Sequence, residues 1–448
     1  MNAIGLSILI AVILAVAFGS RRNALLAAMA GALFLTQHQA ALVLGFNLFA
    51  YRFVEFAAFL RVVIRSEFSF SQLNRVDKAL IWLYLYATAI FLIRSNTGQA
   101  YAIGTAVDAF LCYFAFRGLV GGAEEFKGFL RAFLLLLAPY ALLVLFESFT
   151  GKNAFALLGG VAEPEWVREG RLRCMGSFRN PSLLGTLGAS WFPIYLGLGC
   201  GRGDRRLALI GMGLCLVIVW ASNSGAPLNC LVVGVAGWLL WPIRSQMQWF
   251  RRGAVIAIVA LALVMKSPVW YLLAHVSDLT GGGGYHRAYL IDVAFKNLGK
   301  WWLAGMPISE TAGWFPYLAV ATGGADMTNQ FLSFGIGAGV VAIFLFLRLL
   351  TIAFKNLGAA RATVSEEPAG AKFILWGLGV MLAVHISNWL GITYFDQTYA
   401  IWFMQLATIV NLAEEAAARA AATEPEGSAA VPVEVVEPQL SHRAIATA

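Results

Sequence analysis

Long apolar runs divided by polar breaks fill most of this 448-residue chain. The runs fall near 3–19, 24–37, 40–60, 79–93, 101–117, 129–148, 181–200, 207–221, 226–243, 253–267, 327–350, 373–391 and 398–412. Most approach the ~20 residues that an α-helix needs to cross the hydrocarbon of a bilayer. The pattern predicts an all-α polytopic membrane protein with about 12–13 transmembrane helices over 1–412, and the count turns on the short run at 24–37. Two breaks are long, 149–180 and 268–326. In the second, residues 285–298 are expected to form a helix lying along the membrane surface, with Trp301 and Trp302 at the interface. The Gly281–Gly284 run there is read as a hinge or a plain loop. Beyond Leu412 the composition turns to Ala, Glu and Pro, which predicts a disordered tail over 413–448 that first continues the last helix briefly.

Charged residues make up 12% of the chain against 60% hydrophobic, where a soluble domain carries about 25% charge. That leaves no room for a soluble catalytic domain. The net charge of +8 is read by side, because basic residues mark the cytoplasmic face of membrane proteins. No basic residue precedes the first run, and Arg21 and Arg22 follow it, so an uncleaved span with an outside N-terminus is expected. Alternation from there leaves about twice as many lysines and arginines inside as outside, the bias expected of this orientation. The charge therefore gives no reason to invoke nucleic acid. The five cysteines have no metal-ligand spacing and most sit in or beside apolar runs, as small core residues do.

The outer break 149–180 goes against the charge trend. Arg168, Arg171, Arg173 and Arg179 crowd into it, beside Glu163, Glu165 and Glu169. Arginine presents a fixed fork of donors that suits phosphate oxygens and keeps its charge. Such a group at the mouth of a helix bundle suits a lipid-borne phosphate or diphosphate, Arg173 and Arg179 above all. The plainer alternatives are lipid headgroups or the neighbouring glutamates. Within the runs, Arg52 and Glu55 share a helix face and can neutralise each other. Asp108 and His385 stand alone and are read as hydrogen-bonded structural residues. Gly185, Gly188, Gly197 and Gly199 permit close helix packing.

Arg173-x-x-Gly176-Ser-Phe178-x-Asn180-Pro181, leading straight into an apolar run, resembles a recurring motif of the O-antigen ligase and O-antigen polymerase superfamily. Ser222-Asn223-Ser224-Gly225 is similar to a second motif, where that family usually has Ser-Arg-Gly. His286-Arg287, followed by Trp302 and Gly305, looks like its large periplasmic loop. Thr328-Asn329-Gln330-Phe331-Leu332, then Gly335 and Gly339, is similar to the His-Asn-x-x-Leu signature that closes it. The matches keep their order over about 170–350. The resemblance implies a multi-pass glycosyltransferase of the bacterial inner membrane. It would use undecaprenyl-diphosphate-linked oligosaccharide on the periplasmic side and pass it to a saccharide or lipid acceptor, alone or with other polysaccharide-assembly proteins.

On that reading Arg173, Arg179 and Arg287 hold the diphosphate without a metal or other cofactor. Gly176, Asn180, Pro181, Asn223, Thr328 and Asn329 support the site. The family histidine is replaced by Thr328, which favours a polymerase-like member over a ligase and leaves His286 or Asp326 as the base. Asp326 has a second reading, as a cap of the next helix. A transporter or flippase for a lipid or anionic solute is the alternative drawn from Arg52, Glu55 and Asp108 inside the runs.

Overall fold

The computed structural model describes residues 1–43, 46–95, 98–158, 167–168, 170–201, 203–278, 284–314, 323–364 and 371–423. Glu163, Glu165, Glu169, Gly281 to Gly283 and the tail from 424 lie outside them. Each apolar run contains a helix. The first six are α1 (Ala3–Phe18), α2 (Arg21–Phe34), α3 (Ala50–Ile64), α4 (Arg75–Arg94), α5 (Gln99–Leu119) and α6 (Ala123–Thr150). Then come α7 (Pro181–Cys200), α8 (Arg205–Ser222), α9 (Gly225–Leu239) and α10 (Met247–Val264). The long second loop carries α11 (Leu272–Asp278), α12 (Gly284–Lys296) and α13 (Leu298–Trp301). The chain ends in α14 (Gln330–Ala338), α15 (Val340–Thr363), α16 (Ala371–Trp389) and α17 (Thr398–Thr423). Among the described residues, eight helices are long and apolar enough to cross a bilayer, and α1 and α9 are apolar but shorter. The chain is thus an all-α, multi-pass membrane protein.

Two runs depart from the expected spans. In the run at 40–60, β1 (Ala40–Val43) pairs antiparallel with β2 (Phe46–Phe49), and helix begins only at Ala50. Gly45 and Asn47 are poor helix formers, so that stretch has little to hold it helical. The run at 327–350 breaks at Gly339 (φ 83°). The Trp302–Met306 turn is zipped into the break: Val340 N–H donates to the Trp302 carbonyl and Met306 N–H to the Ile336 carbonyl, both at 2.8 Å. A Cβ on Gly339 would stand 2.3 Å from the Leu303 carbonyl oxygen, so the seam requires glycine. Trp301 belongs to a small core with Leu290, Met306 and Ile336 rather than to the interface, and its indole donates to the Ala294 carbonyl at 2.8 Å. Trp302 remains exposed.

Polar contacts join the segments that the alternation places on one side. At one end, Arg117 binds Asp77 and Glu414, Arg61 donates to the Val16 and Gly19 carbonyls, and Arg131 binds Asp204. At the other end, Asn2 meets Gln39 and Arg287 meets Gly391. Between the ends, polar side chains bond across helices. Arg52 crosses from α3 to Asp108 on α5 at 2.8 and 2.7 Å instead of neutralising Glu55. Glu55 accepts from the Tyr399 hydroxyl at 2.5 Å. His385 is fully buried and hydrogen-bonded to Tyr394 at 2.6 Å and to Gln405 at 2.5 Å.

Candidate functional site

The Arg173–Pro181 motif is first of all a shaped loop. Gly176 adopts φ 56°, and Asn153 donates to its carbonyl at 2.8 Å. Glu147, at the end of α6, accepts the Met175 and Gly176 N–H groups at 2.8 and 2.9 Å, one on each oxygen, the arrangement that suits an ionised carboxylate. Ser177 shares a hydrogen bond of 3.0 Å with Tyr140. Asn180 caps α7 by accepting from Ser182 N–H at 2.8 Å, and Pro181 takes the first helical position, where its missing N–H costs nothing. Within residues 173–181, Arg173 and Arg179 are the ones that carry charge.

The same loop is stitched to the α8–α9 turn. Cys174 N–H donates to the Ala221 carbonyl at 3.1 Å. Asn223 sits in the left-handed region (φ 41°), which asparagine tolerates well. Its amide donates to the Arg168 and Arg171 carbonyls at 3.3 Å, closing the two-residue hairpin of β3 (Val167–Arg168) and β4 (Arg171–Leu172). Ser224 lies between Ser182 at 2.7 Å and the Arg173 guanidinium at 3.4 Å. Arg171 turns away and covers Trp220, 4.7 Å above its ring.

The second long loop reaches the same place through α12. Arg287 lies on its inward face, and its Nε donates to the Gly391 carbonyl at 2.9 Å. Burial holds the Arg287 guanidinium below its ordinary basicity, and Arg168 adds to the effect. Arg173 is lowered likewise by burial, then by Arg168 and Arg287. Three arginines from two loops therefore lie within electrostatic reach of one another, with Arg173 and Arg287 half-buried, an arrangement that favours a nearby anion. Among the described residues Arg287 is in no ion pair.

His286 adjoins this group. Burial and then Arg287 bring its pKa from 6.5 to about 4, so it is neutral at pH 7. Burial raises the Asp326 carboxyl. Asp326 does not cap the next helix: Asn329 does, accepting from Leu332 N–H at 3.0 Å. Thr328 has a buried hydroxyl without a hydrogen-bond partner among the described residues.

Arg179 lies apart from the three. Its Nε donates to both oxygens of buried Asp396 at 2.9 and 2.8 Å, it lies over Phe395, and hydrogen bonding to Asp396 raises its pKa. Asp396 belongs to the turn 390–397 between α16 and α17. That turn also supplies the Leu390 carbonyl to Asn329, the Gly391 carbonyl to Arg287 and the Tyr394 N–H to Gln330. It forms a wall of the site that motif reasoning passed over. One signal for it was present: Asp396 is the only acid between Asp326's loop and the tail within residues 371–412.

No protein-family model matches this chain, and no curated protein does either.

Proposed function

We propose that this chain is an O-antigen ligase- or polymerase-like glycosyltransferase, polymerase favoured over ligase, working at the periplasmic face of a bacterial inner membrane. Its donor is an undecaprenyl-diphosphate-linked oligosaccharide, as the ordered motifs imply. The observation that carries the reading is the convergence of Arg173 and Arg287, with Arg168, from the two long outer loops onto one half-buried spot. An acceptor hydroxyl attacks the anomeric carbon. The bond to the diphosphate oxygen breaks and its electron pair leaves with that oxygen, where the arginines meet the growing charge. The hydroxyl proton passes to Asp326 or to His286, the latter neutral at pH 7.

The test is purified protein with undecaprenyl-diphosphate oligosaccharide, products resolved on a gel. A ladder of lengths indicates polymerisation and a single acceptor band indicates ligation. Arg173→Ala and Arg287→Ala should each lower product about a hundredfold or more, the scale of losing a donor to developing charge, with unchanged helical content. Normal product from both variants overturns the proposal.

A further inference from the structure

The end of the bundle away from the arginine site holds a second cationic cluster. α9 leaves the site at Gly225 and runs 15 residues, about 22 Å at helical rise, to the 3₁₀ turn Trp241–Gln246. There the Arg244 guanidinium lies 4.4 Å above the Trp241 ring. Trp241 packs on Phe373 at 4.8 Å and on Trp376 at 5.6 Å. Lys372 lies over Phe373 at 5.6 Å. Arg361, in the last turn of α15, stands within electrostatic reach of Arg244. Two half-buried cations, Arg244 and Lys372, thus lie over one aromatic floor, with half-buried Arg361 within electrostatic reach of Arg244. Among the described residues none of the three is in an ion pair. Glu366 and Glu367, between Arg361 and Lys372 in the chain, lie outside the described residues.

Beside this cluster stands α10, in which no residue is buried. Its main contacts are with the 3₁₀ turns at its two ends, Trp241–Gln246 and Val269–Tyr271. Between those ends Val255, Ile256, Ile258, Val259, Leu263 and Val264 are exposed. An apolar helix standing off a bundle presents a face that only hydrocarbon suits.

We propose that this end of the protein is a binding site for an anionic phospholipid. Arg244, Arg361 and Lys372 take the headgroup phosphate, whose oxygens match the arginine forks and the lysine point charge. Trp241 and Trp376 sit at the level of the glycerol esters, where amphipathic rings belong. The acyl chains lie along α10. A free phosphate satisfies the cations equally but leaves the apolar face uncovered, so the commitment is to a lipid. The inference stands apart from the proposed glycosyl transfer.

The experiment is native mass spectrometry of the full chain, purified in detergent and given equal amounts of phosphatidylglycerol and phosphatidylcholine. Wild type should retain phosphatidylglycerol selectively. Arg244→Ala should cut that retention about fivefold, one cation's worth near a headgroup surface, and leave phosphatidylcholine unchanged. The triple variant Arg244→Ala, Arg361→Ala, Lys372→Ala should abolish the preference. A charge-keeping triple, Arg244→Lys, Arg361→Lys, Lys372→Arg, should retain it, which separates lost charge from lost folding. Equal phosphatidylglycerol retention by wild type and the alanine triple overturns the proposal. Displacement of the lipid by excess inorganic phosphate also overturns it, in favour of a free-anion site.

Discussion

Gly176→Ala tests the loop that carries Arg173. At φ 56° a residue with a Cβ pays about 1–2 kcal/mol for the left-handed backbone. The added carbon would also lie 2.7 Å from the Tyr140 hydroxyl and 3.2 Å from a Leu184 methyl. Tyr140 is fully buried, so its ring cannot simply swing into solvent. Displacing the hydroxyl breaks the bond to Ser177, and an unmet buried hydrogen-bonding group costs about 1–3 kcal/mol. Gly176→Ala should therefore destabilise by about 2–5 kcal/mol in all. In a Tyr140→Phe background the hydroxyl is already gone, and the same change should cost only the ~1–2 kcal/mol backbone part. The difference is a coupling energy of the size that touching residues show. The assay is unfolding of the four proteins in one detergent, together with calorimetric binding of pyrophosphate. Affinity should fall with Gly176→Ala, since Arg173 rides on the same turn. An equal cost of Gly176→Ala in both backgrounds refutes the packing argument, and no cost at all refutes the turn.

Glu147→Gln should lower stability by about 1–3 kcal/mol, because the amide nitrogen cannot accept and leaves one of the Met175 and Gly176 N–H groups unmet; wild-type unfolding behaviour would count against the carboxylate's role. Asp396→Asn should free Arg179 from its ion pair and shift pyrophosphate affinity upward if Arg179 can then join the arginine group; weaker or unchanged binding would mean the pair is structural only. The His286 pKa is depressed from 6.5 to about 4, so the unfolded chain binds more protons in that window and stability must rise with pH there. The melting temperature of wild type should therefore climb more steeply between those pH values than that of His286→Gln; identical slopes would show that the ring is not desolvated as described.

Hydropathy carried the fold a long way in this chain, because a bilayer admits few alternatives to helix. The runs at 181–200 and 207–221 coincide with α7 and α8 within two residues at each end. What it missed was decided by tertiary contact. The break at Gly339 is held by carbonyls and N–H groups of the Trp302–Met306 turn, and no local pattern announces a partner that far along the chain. Arg52 and Glu55 are three residues apart, so helical spacing favoured pairing them, yet each found a better partner on another helix. Site residues were legible where type implied chemistry, as with Arg173 and Arg287. Glu147 and the Gly391 carbonyl were not, since one reads as the polar end of an apolar helix and the other is backbone.

The resemblance motifs divide into residues that shape the site and residues that give it charge. Gly176, Asn180, Pro181, Asn223 and Asn329 each have a local duty: a left-handed turn, a cap, a first helical position, a staple across a hairpin, a second cap. Such duties are transferable between chemistries, so matching those positions bears on the fold of the outer face more than on the reaction. Arg173 and Arg287 also make local bonds, to Ser224 and to the Gly391 carbonyl, but they add charge that such bonds do not need. Bringing guanidinium groups together out of water raises the energy of the folded state, and a nearby anion lowers it. The proposed diphosphate contact therefore depends on the arginines. The family likeness is weakest at Thr328, whose buried hydroxyl has no hydrogen-bond partner among the described residues; under the proposed function Asp326 or His286 would take the proton in its place.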